Sequence, residues 1–351
     1  MDITALIDTA IQRIASDIHI VAGTPVTLRI HGQLIPLENS TVLDPETAKG
    51  LIIPLMNEPQ RELFQKNKEI DFSFEHTDGT RLRINAYHQQ GKVSAALRLL
   101  NNEILTVDQL KLPTVMHQIT SLRQGFVLVT GPTGSGKSTS LAAMIQEINS
   151  SRAEHIVTIE DPIEYVYKSD KSIISQRELH HDTNSWDMSL RSVLREDPDI
   201  VLVGEMRDYE TIAAALTIAE TGHLVFATLH TNSAAQTIDR IIDVFPENQQ
   251  PQVRNQLAAS LEAVFAQRLV PTVTGERIPV VEIMLASSAI KNTVREGKTH
   301  QIDNIIQTSG TLGMMSFESS LVYWVKAGVI SMEVAKEYAL RPEEFVRALK
   351  G

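Results

Sequence analysis

The sequence predicts an α/β protein in two parts. An α+β module occupies residues 1–100, and a larger α/β domain occupies residues 114–351 and turns helical from about residue 285. Three observations carry this. Alternating strand patterns separated by turn residues fill the first hundred positions. From Gly125 onward, short apolar runs alternate with helical patterns, as parallel strands joined by helices require. A glycine-rich loop of the phosphate-binding kind opens the first of those helices. The length of 351 residues accommodates about two domains at roughly 150 residues each.

Apolar residues at helical spacing predict a helix from Ile3 to Ile14. Asp17-Ile-His-Ile-Val-Ala22 alternates, Gly23-Thr-Pro25 turns, and Val26-Thr-Leu-Arg-Ile30 alternates again. His31-Gly32 makes the next turn, and Gln33 to Leu37 adds a third strand to a small antiparallel sheet. Asp44-Pro45 opens a helix through a side-chain cap and a first-turn proline. Segments 70–75, 81–87 and 92–99 are three more strands, the first two joined by a hairpin turn at Asp78-Gly79. Residues 101–113 start polar, hold a short helical stretch and end at Pro113, which reads as a flexible linker. The apolar runs at 126–130, 155–159, 200–203 and 224–229 read as buried parallel strands. Beyond about residue 272 the pattern is mostly helical, broken at Gly297, Gly310, Gly313 and Gly328.

Gly131-Pro132-Thr133-Gly134-Ser135-Gly136-Lys137-Ser138, followed by Thr139, fits G-x-x-x-x-G-K-[ST]. An apolar strand runs into it, and Leu141, Ile145 and Ile148 place one face of a helix directly after it. Glycines let backbone N–H groups turn inward around phosphate oxygens, and the helix N-terminus adds positive potential. Lys137 can reach the β- and γ-phosphates, and the Ser138 hydroxyl can coordinate Mg²⁺.

Such a loop needs acidic groups to hold the metal and orient water. Two apolar strands end in carboxylates, one at Glu160-Asp161 and one at Glu205. Acids at the C-terminal ends of parallel strands face the same crevice as the phosphate loop. Glu160 suits a general base for the attacking water, and Glu205 the Mg²⁺ side. A third strand ends at His230, placed to sense a γ-phosphate, whereas spacing gives His223 no role beyond a turn. His180-His181-Asp182 lacks paired-ligand spacing and reads as a surface loop. No G-x-S-x-G elbow supports serine hydrolase chemistry.

Composition excludes other classes. With 32 Lys+Arg against 43 Asp+Glu, the formal charge is −11, the wrong sign for a general nucleic-acid binder. The absence of cysteine excludes disulfides, thiolate metal sites and a cysteine nucleophile. The N-terminus has no signal-peptide pattern, and no apolar run approaches the roughly 18 residues of a membrane span.

Four ordered segments resemble the boxes of the type II/IV secretion ATPase superfamily. They are the loop at 131–139, Ile159-Glu-Asp-Pro-Ile-Glu164, the stretch from Leu194-Arg-Glu-Asp-Pro-Asp199 to Gly204-Glu-Met-Arg-Asp208, and residues 221–232. Ala15-Ser-Asp-Ile-His19 is similar to the stretch that opens the family's N-terminal domain. Ala289-Ile-Lys-Asn-Thr-Val-Arg-Glu296 is similar to the A-I-R-N-L-I-R-E motif of the pilus retraction ATPases, the PilT family, with Lys291, Thr293 and Val294 departing from it.

The resemblance implies a PAS-like N-terminal domain, a linker, and a RecA-like P-loop ATPase domain with a helical C-terminal part. It implies a homohexameric, ATP- and Mg²⁺-dependent motor for type IV pilus retraction and twitching motility. Such a motor would be cytoplasmic and would act on an inner-membrane platform protein of the pilus machinery, touching the membrane only through partners. Glu160 matches the family's catalytic glutamate, Glu205 its Walker B glutamate and His230 the second histidine of its His box. Arg81, Arg83 and Arg98 fall at or near its phosphate-sensing arginines, with Arg191 and Arg195 as weaker candidates. The assembly-type ATPases of the family carry a further N-terminal domain and a four-cysteine zinc module, so the cysteine-free composition favours the retraction type. Two alternatives keep the same ATPase domain: an accessory retraction paralogue and a RecA-like nucleic-acid translocase.

Overall fold

The computed structural model describes residues 2–30, 32–38, 40–100 and 103–350. His31 and the linker residues Asn101 and Asn102 lie outside the described residues. The chain divides into two compact units, Met1–Glu103 with Pro162–Val166, and Ile104–Asp161 with Tyr167–Gly351.

The first unit contains α1 (Ile3–Gln12), β1 (Asp17–Ile20), β2 (Thr27–Ile30), β3 (Gln33–Pro36), α2 (Pro45–Ile52), α3 (Glu58–Asn67), β4 (Glu69–Glu75), β5 (Arg81–Gln89) and β6 (Lys92–Leu99). Helix α1 stops two residues short of the predicted end, because Ile14 takes a left-handed φ of 53°. The Asp44 carboxylate caps α2 by accepting from the N–H groups of Glu46 and Thr47. The strands form one antiparallel sheet in the order β3-β2-β1-β6-β5-β4. One face buries Ile18, Ile20, Leu28, Ile84 and Leu97 with Leu6 and Ile7 of α1 and Leu51 and Ile52 of α2. Helix α3 has no counterpart in the sequence reading. It buries only Phe64, so it carries no apolar period, and a capping box between Asn57 and Gln60 starts it.

The second unit contains α4 (Val115–Thr120), β7 (Gly125–Thr130), α5 (Lys137–Ser151), β8 (His155–Glu160), β9 (Ile173–Glu178), α6 (Trp186–Val193), β10 (Ile200–Val203), α7 (Tyr209–Glu220), β11 (Leu224–Leu229), α8 (Ala234–Asp243), α9 (Gln250–Ser260), β12 (Leu261–Pro271) and β13 (Arg277–Leu285). Five helices follow: α10 (Ser288–Arg295), α11 (Ile302–Thr308), α12 (Phe317–Lys326), α13 (Met332–Tyr338) and α14 (Pro342–Lys350). The sheet order is β13-β12-β7-β11-β10-β8-β9, parallel except for the antiparallel edge pair β12-β13. The four apolar runs predicted as strands form the centre of this sheet, and Phe126, Leu128, Val157, Val201 and Val225 lie in its core. Strand β13 falls where the pattern reads as mostly helical. Its paired run through β12 buries alternate side chains against α12 and α14 instead of presenting a helical face.

The parallel order directs the C-terminal ends of β7, β8, β10 and β11 to one edge, where ligands bind in open α/β sheets. Among the described residues no helix is long and apolar enough to cross a membrane.

Candidate functional site

The phosphate loop leaves β7 at Thr130 and enters α5 at Lys137. Its glycines are required by the backbone. Gly131, Gly134 and Gly136 have φ values of 143°, 77° and 86°, in the region that L side chains avoid. A Cβ on Gly131 would also run into the Gln267 carbonyl, and one on Gly136 would stand 2.9 Å from Gln267 Nε2. Gly134 has open space around it. The Lys137 ammonium donates to the carbonyls of Gly131 (2.8 Å) and Pro132 (3.2 Å), which keeps it over the loop. The Ser135 hydroxyl is buried without a hydrogen-bond partner, a polar group inside the cradle that a phosphate oxygen would satisfy.

The acids stand at neighbouring strand ends. Gly204 N–H donates to Ile159 O at 2.8 Å, which ties the end of β10 to the end of β8. Glu160 Oε1 accepts from Thr158 Oγ1 (2.7 Å) and Gln176 Nε2 (3.1 Å), so the carboxylate is aimed by its own strand and by β9. Glu205 Oε2 accepts from Arg207 Nη2 at 2.7 Å, and Glu205 Oε1 lies 3.2 Å from His230 Nε2. Burial acts to raise the Glu205 carboxyl, but the hydrogen bond and charge of Arg207, with His230 and Lys137, hold it below the ordinary carboxylate range. The hydrogen bond to Glu205 raises the Arg207 guanidinium in turn. Lys137, Glu205 and His230, predicted from separate segments, are therefore brought into one electrostatic neighbourhood.

The donor set suits Mg²⁺: the Ser138 hydroxyl in the first turn of α5 and an ionised Glu205 are hard oxygen ligands, and Mg²⁺ takes few protein ligands beside substrate phosphates. Among the described residues no group of three or more histidines and carboxylates could hold a metal. His181 Nδ1 lies 3.0 Å from Asp182 Oδ1 in an exposed turn. His223 sits before the first residue of β11, at the opposite end of the strand from His230, against Thr221 and the Ile218 carbonyl.

The sequence reading missed two features. Gln267, buried in β12, donates to Ser135 O and accepts from Ser140 Oγ, both at 2.8 Å. Its only sequence signal is a polar residue closing an apolar run in a strand. A cavity of about 470 Å³ opens beside Gly136 and Thr139. Its apolar lining includes Leu105, Leu110, Leu112, Leu269 and Ile278, and Glu276 and Arg277 supply charge. Part of one wall comes from the segment read as linker.

The candidate arginines Arg81, Arg83 and Arg98 lie in the first unit. Cross-strand register places Arg29, Asp17, Arg98, Arg83 and Ser73 in one row across β2, β1, β6, β5 and β4, on the sheet face opposite the core. Arg81 shares that face two residues along β5 and donates to Ser73 Oγ at 3.1 Å. Arg98 Nε donates to Asp17 Oδ1 at 2.9 Å, while Arg29 stands 3.7 Å from Asp17 Oδ2. In the second unit, Arg191 pairs with Asp187 at 2.7 Å on the outer face of α6, and Arg195 is exposed. In the C-terminal motif Ile290 and Val294 are fully buried, Thr293 is buried, and Lys291 pairs with Glu262 of β12 at 3.2 Å.

Known proteins are similar to this chain over most of its length. A crystal structure of the pilus retraction motor PilT with bound ADP has a TM-score of 0.93 to this chain at 44% identity, covering 99% of each chain. The type IV pilus retraction ATPase PilT of Pseudomonas aeruginosa is 47% identical over 345 residues, 98% of this chain and all of that protein. A twitching motility protein of Neisseria gonorrhoeae is 46% identical over 334 residues, 95% of this chain and 89% of that one. A family model described as type II/IV secretion system protein matches residues 1–310, a span that contains the phosphate loop, both strand-end glutamates and His230. With loop, acids and histidine arranged on this sheet and the match extending over most of its length, the chain belongs to the type II/IV secretion system protein family.

Proposed function

We propose that the chain is the ATP-hydrolysing motor of type IV pilus retraction, the engine of twitching motility. The observation that carries this is the assembly of a phosphate loop, Glu160 and the Glu205–His230 pair at one edge of the parallel sheet. Likeness over nearly full length to a retraction ATPase supports the type of work the site powers. The domain division is residues 1–100, a hinge within 101–113, and residues 114–351, with the helical C-terminal part from about 285.

The loop N–H groups and the N-terminus of α5 bind the triphosphate. Lys137 exchanges its carbonyl partners for the β- and γ-phosphates. Ser138 and Glu205 would hold Mg²⁺, which would neutralise charge on the phosphate oxygens. Glu160, fixed by Thr158 and Gln176, takes the proton of the attacking water. His230 lies beside Glu205, where the change from triphosphate to diphosphate alters the local charge. The cavity beside Gly136 accepts the base and ribose, its volume and mixed lining being those of a small-molecule site. Arg81, Arg83 and Arg98 supply positive charge to the transition state. Six copies form a ring in the cytoplasm that transmits domain movement to an inner-membrane platform protein.

The test is twofold. Purified protein should release phosphate from ATP with Mg²⁺, and Glu205→Ala should abolish release while retaining nucleotide binding. The wild-type gene, but not Glu205→Ala, should restore retraction to a cell lacking its motor. ATP turnover without restored retraction would refute the motor reading and leave the ATPase reading standing.

A further inference from the structure

We infer that Gln267 is a positioning residue of the phosphate loop: its side-chain amide sets the loop's curvature and thereby the affinity for the nucleotide. This deepens the nucleotide-binding reading and rests on it. The register of the sheet puts Gln267 in place. Ala266 of β12 pairs with Thr130, the last residue of β7, so the next residue of β12 meets the loop where it begins.

From there Gln267 touches the loop along its length. Its backbone carbonyl lies against Gly131, where any side chain would collide with it. Its Nε2 donates to Ser135 O at 2.8 Å, and its Oε1 accepts from Ser140 Oγ at 2.8 Å in the first turn of α5. Gly136 packs on the same amide. The amide orientation follows from chemistry, because a carbonyl oxygen only accepts and the nitrogen must face Ser135. The side chain is 2% exposed, so water cannot take over either bond.

Gln267 thus holds the carbonyl side of the Ser135 peptide outward. In the trans peptide the Gly136 N–H points the opposite way from that carbonyl, away from Gln267 and free to meet a phosphate. A buried carbonyl deprived of its donor loses its pairing, and the loop must re-form around the deficit. Because the amide acts through loop shape and touches no reacting atom, its loss weakens ground-state and transition-state phosphates alike. The kinetic mark of such uniform binding is a raised KM with kcat nearly unchanged.

The experiment compares wild type, Gln267→Met, Gln267→Glu and Ser140→Ala in the full-length protein. The readouts are the Kd for fluorescently labelled ADP, KM and kcat for ATP, the melting temperature and the assembly size. Gln267→Met, close in volume and without either hydrogen bond, should raise Kd and KM about tenfold, with kcat within about threefold of wild type. Gln267→Glu keeps the acceptor for Ser140 but sets a carboxylate against the Ser135 carbonyl, and should bind ADP most weakly. Ser140→Ala removes one bond only and should raise Kd about threefold. ADP affinity unchanged in Gln267→Met overturns the inference. If that variant does not fold, unchanged affinity in Ser140→Ala overturns it instead. A wild-type chain that fails to bind ADP refutes the nucleotide reading itself, a different outcome from wild type and variants binding equally well.

Discussion

His230 Nε2 stands 3.2 Å from Glu205 Oε1, and Arg207 takes the carboxylate's other oxygen at 2.7 Å. The acid assigned to Mg²⁺ is thus kept ionised by a fixed cation, while a titratable ring occupies its second oxygen. Because burial works in the opposite direction, the depressed Glu205 carboxyl depends mainly on Arg207. Replacing Arg207 with Ala should let the carboxyl rise. The acid limb of the kcat–pH profile should then move to higher pH, with a larger loss of activity at the acid end than at the alkaline end. Steady-state turnover from pH 5 to 9 checks this, and an acid limb that stays in place removes Arg207 from the account.

The arginine row in the first unit yields a separate prediction, because its members are not equivalent. Arg98 is bonded to Asp17, whose carboxyl is held low against burial by Ser16 and Arg98. Arg83 has Ser73 and Arg98 as its cross-strand neighbours, so no carboxylate stands directly opposite it in register. Arg83→Gln should lower kcat by tenfold or more, as expected for lost transition-state charge, and leave the melting temperature unchanged. Arg98→Gln should lower kcat as well and cost about 1 kcal/mol of stability, since the ion pair is partly exposed. Asp17→Asn should reproduce the stability loss alone. Equal kcat in Arg83→Gln and wild type would place that arginine outside the chemistry.

The readability of the site in sequence follows from the range of the forces involved. The phosphate loop is local: three glycines with left-handed backbone, a lysine and a helix start fit in eight residues, so the chain itself displays them. Glu160, Glu205 and His230 stand out in the sequence because each ends a run of buried apolar residues, and parallel strands bring their C-terminal ends to one edge. The arginine row was legible only as scattered arginines on strands, since its alignment is created by antiparallel register between β1, β5 and β6. Gln267 shows in the sequence only as a polar residue after an apolar run, because its meaning lies in the pairing of β12 with β7. The helix over residues 58–67 has no apolar period to display, since Phe64 is its one buried residue and its start is marked by a capping box. The wall formed by residues 105–112 looked like linker because turn residues carry no period, although Val107 and Leu112 are buried.

That wall is latched by His117. Its Nδ1 lies 2.8 Å from Glu147 on α5 and its Nε2 3.2 Å from Asp108 in the segment beside the cavity. Only an imidazolium donates through both nitrogens. The hydrogen bond to Glu147, followed by that to Asp108, raises the His117 pKa above its ordinary value. The latch is therefore complete below about pH 6.5 and is lost as pH rises through the raised folded value. Amide exchange in residues 105–112 should be faster in His117→Gln than in wild type at pH 6, with the difference disappearing by about pH 9. A difference that persists at high pH would mean that His117 acts by packing and not by its charge.

Glu282 offers the opposite case, a carboxylate the fold destabilises. It is fully buried in β13, and its Oε1 accepts the Ala234 N–H at 2.7 Å, at the first residue of α8, four residues after His230. Its Oε2 has no hydrogen-bond partner, because Arg341 stands 4.0 Å away and is drawn to Asp303 at 2.6 Å. Burial pushes the carboxyl up to about 7, with Asp303 and Glu318 adding to the rise and Ala234 and Arg341 opposing it. The folded value thus exceeds the unfolded one of about 4.5, and the native state binds the extra proton between them. Stability must fall as pH climbs from about 4.5 to about 7, by on the order of 3 kcal/mol at most, and stay low above that. Glu282→Gln keeps an acceptor for Ala234 without the charge. It should flatten the melting-temperature profile between pH 5 and 8 and raise the value at pH 8 by a few degrees, the gain reduced by Arg341's loss of one partner. Glu282→Ala deprives the buried Ala234 N–H of its acceptor and should melt lower than wild type at every pH. If Glu282→Gln and Glu282→Ala instead fall together, the hydrogen bond to α8 is not what the side chain contributes, and the charge argument fails with it.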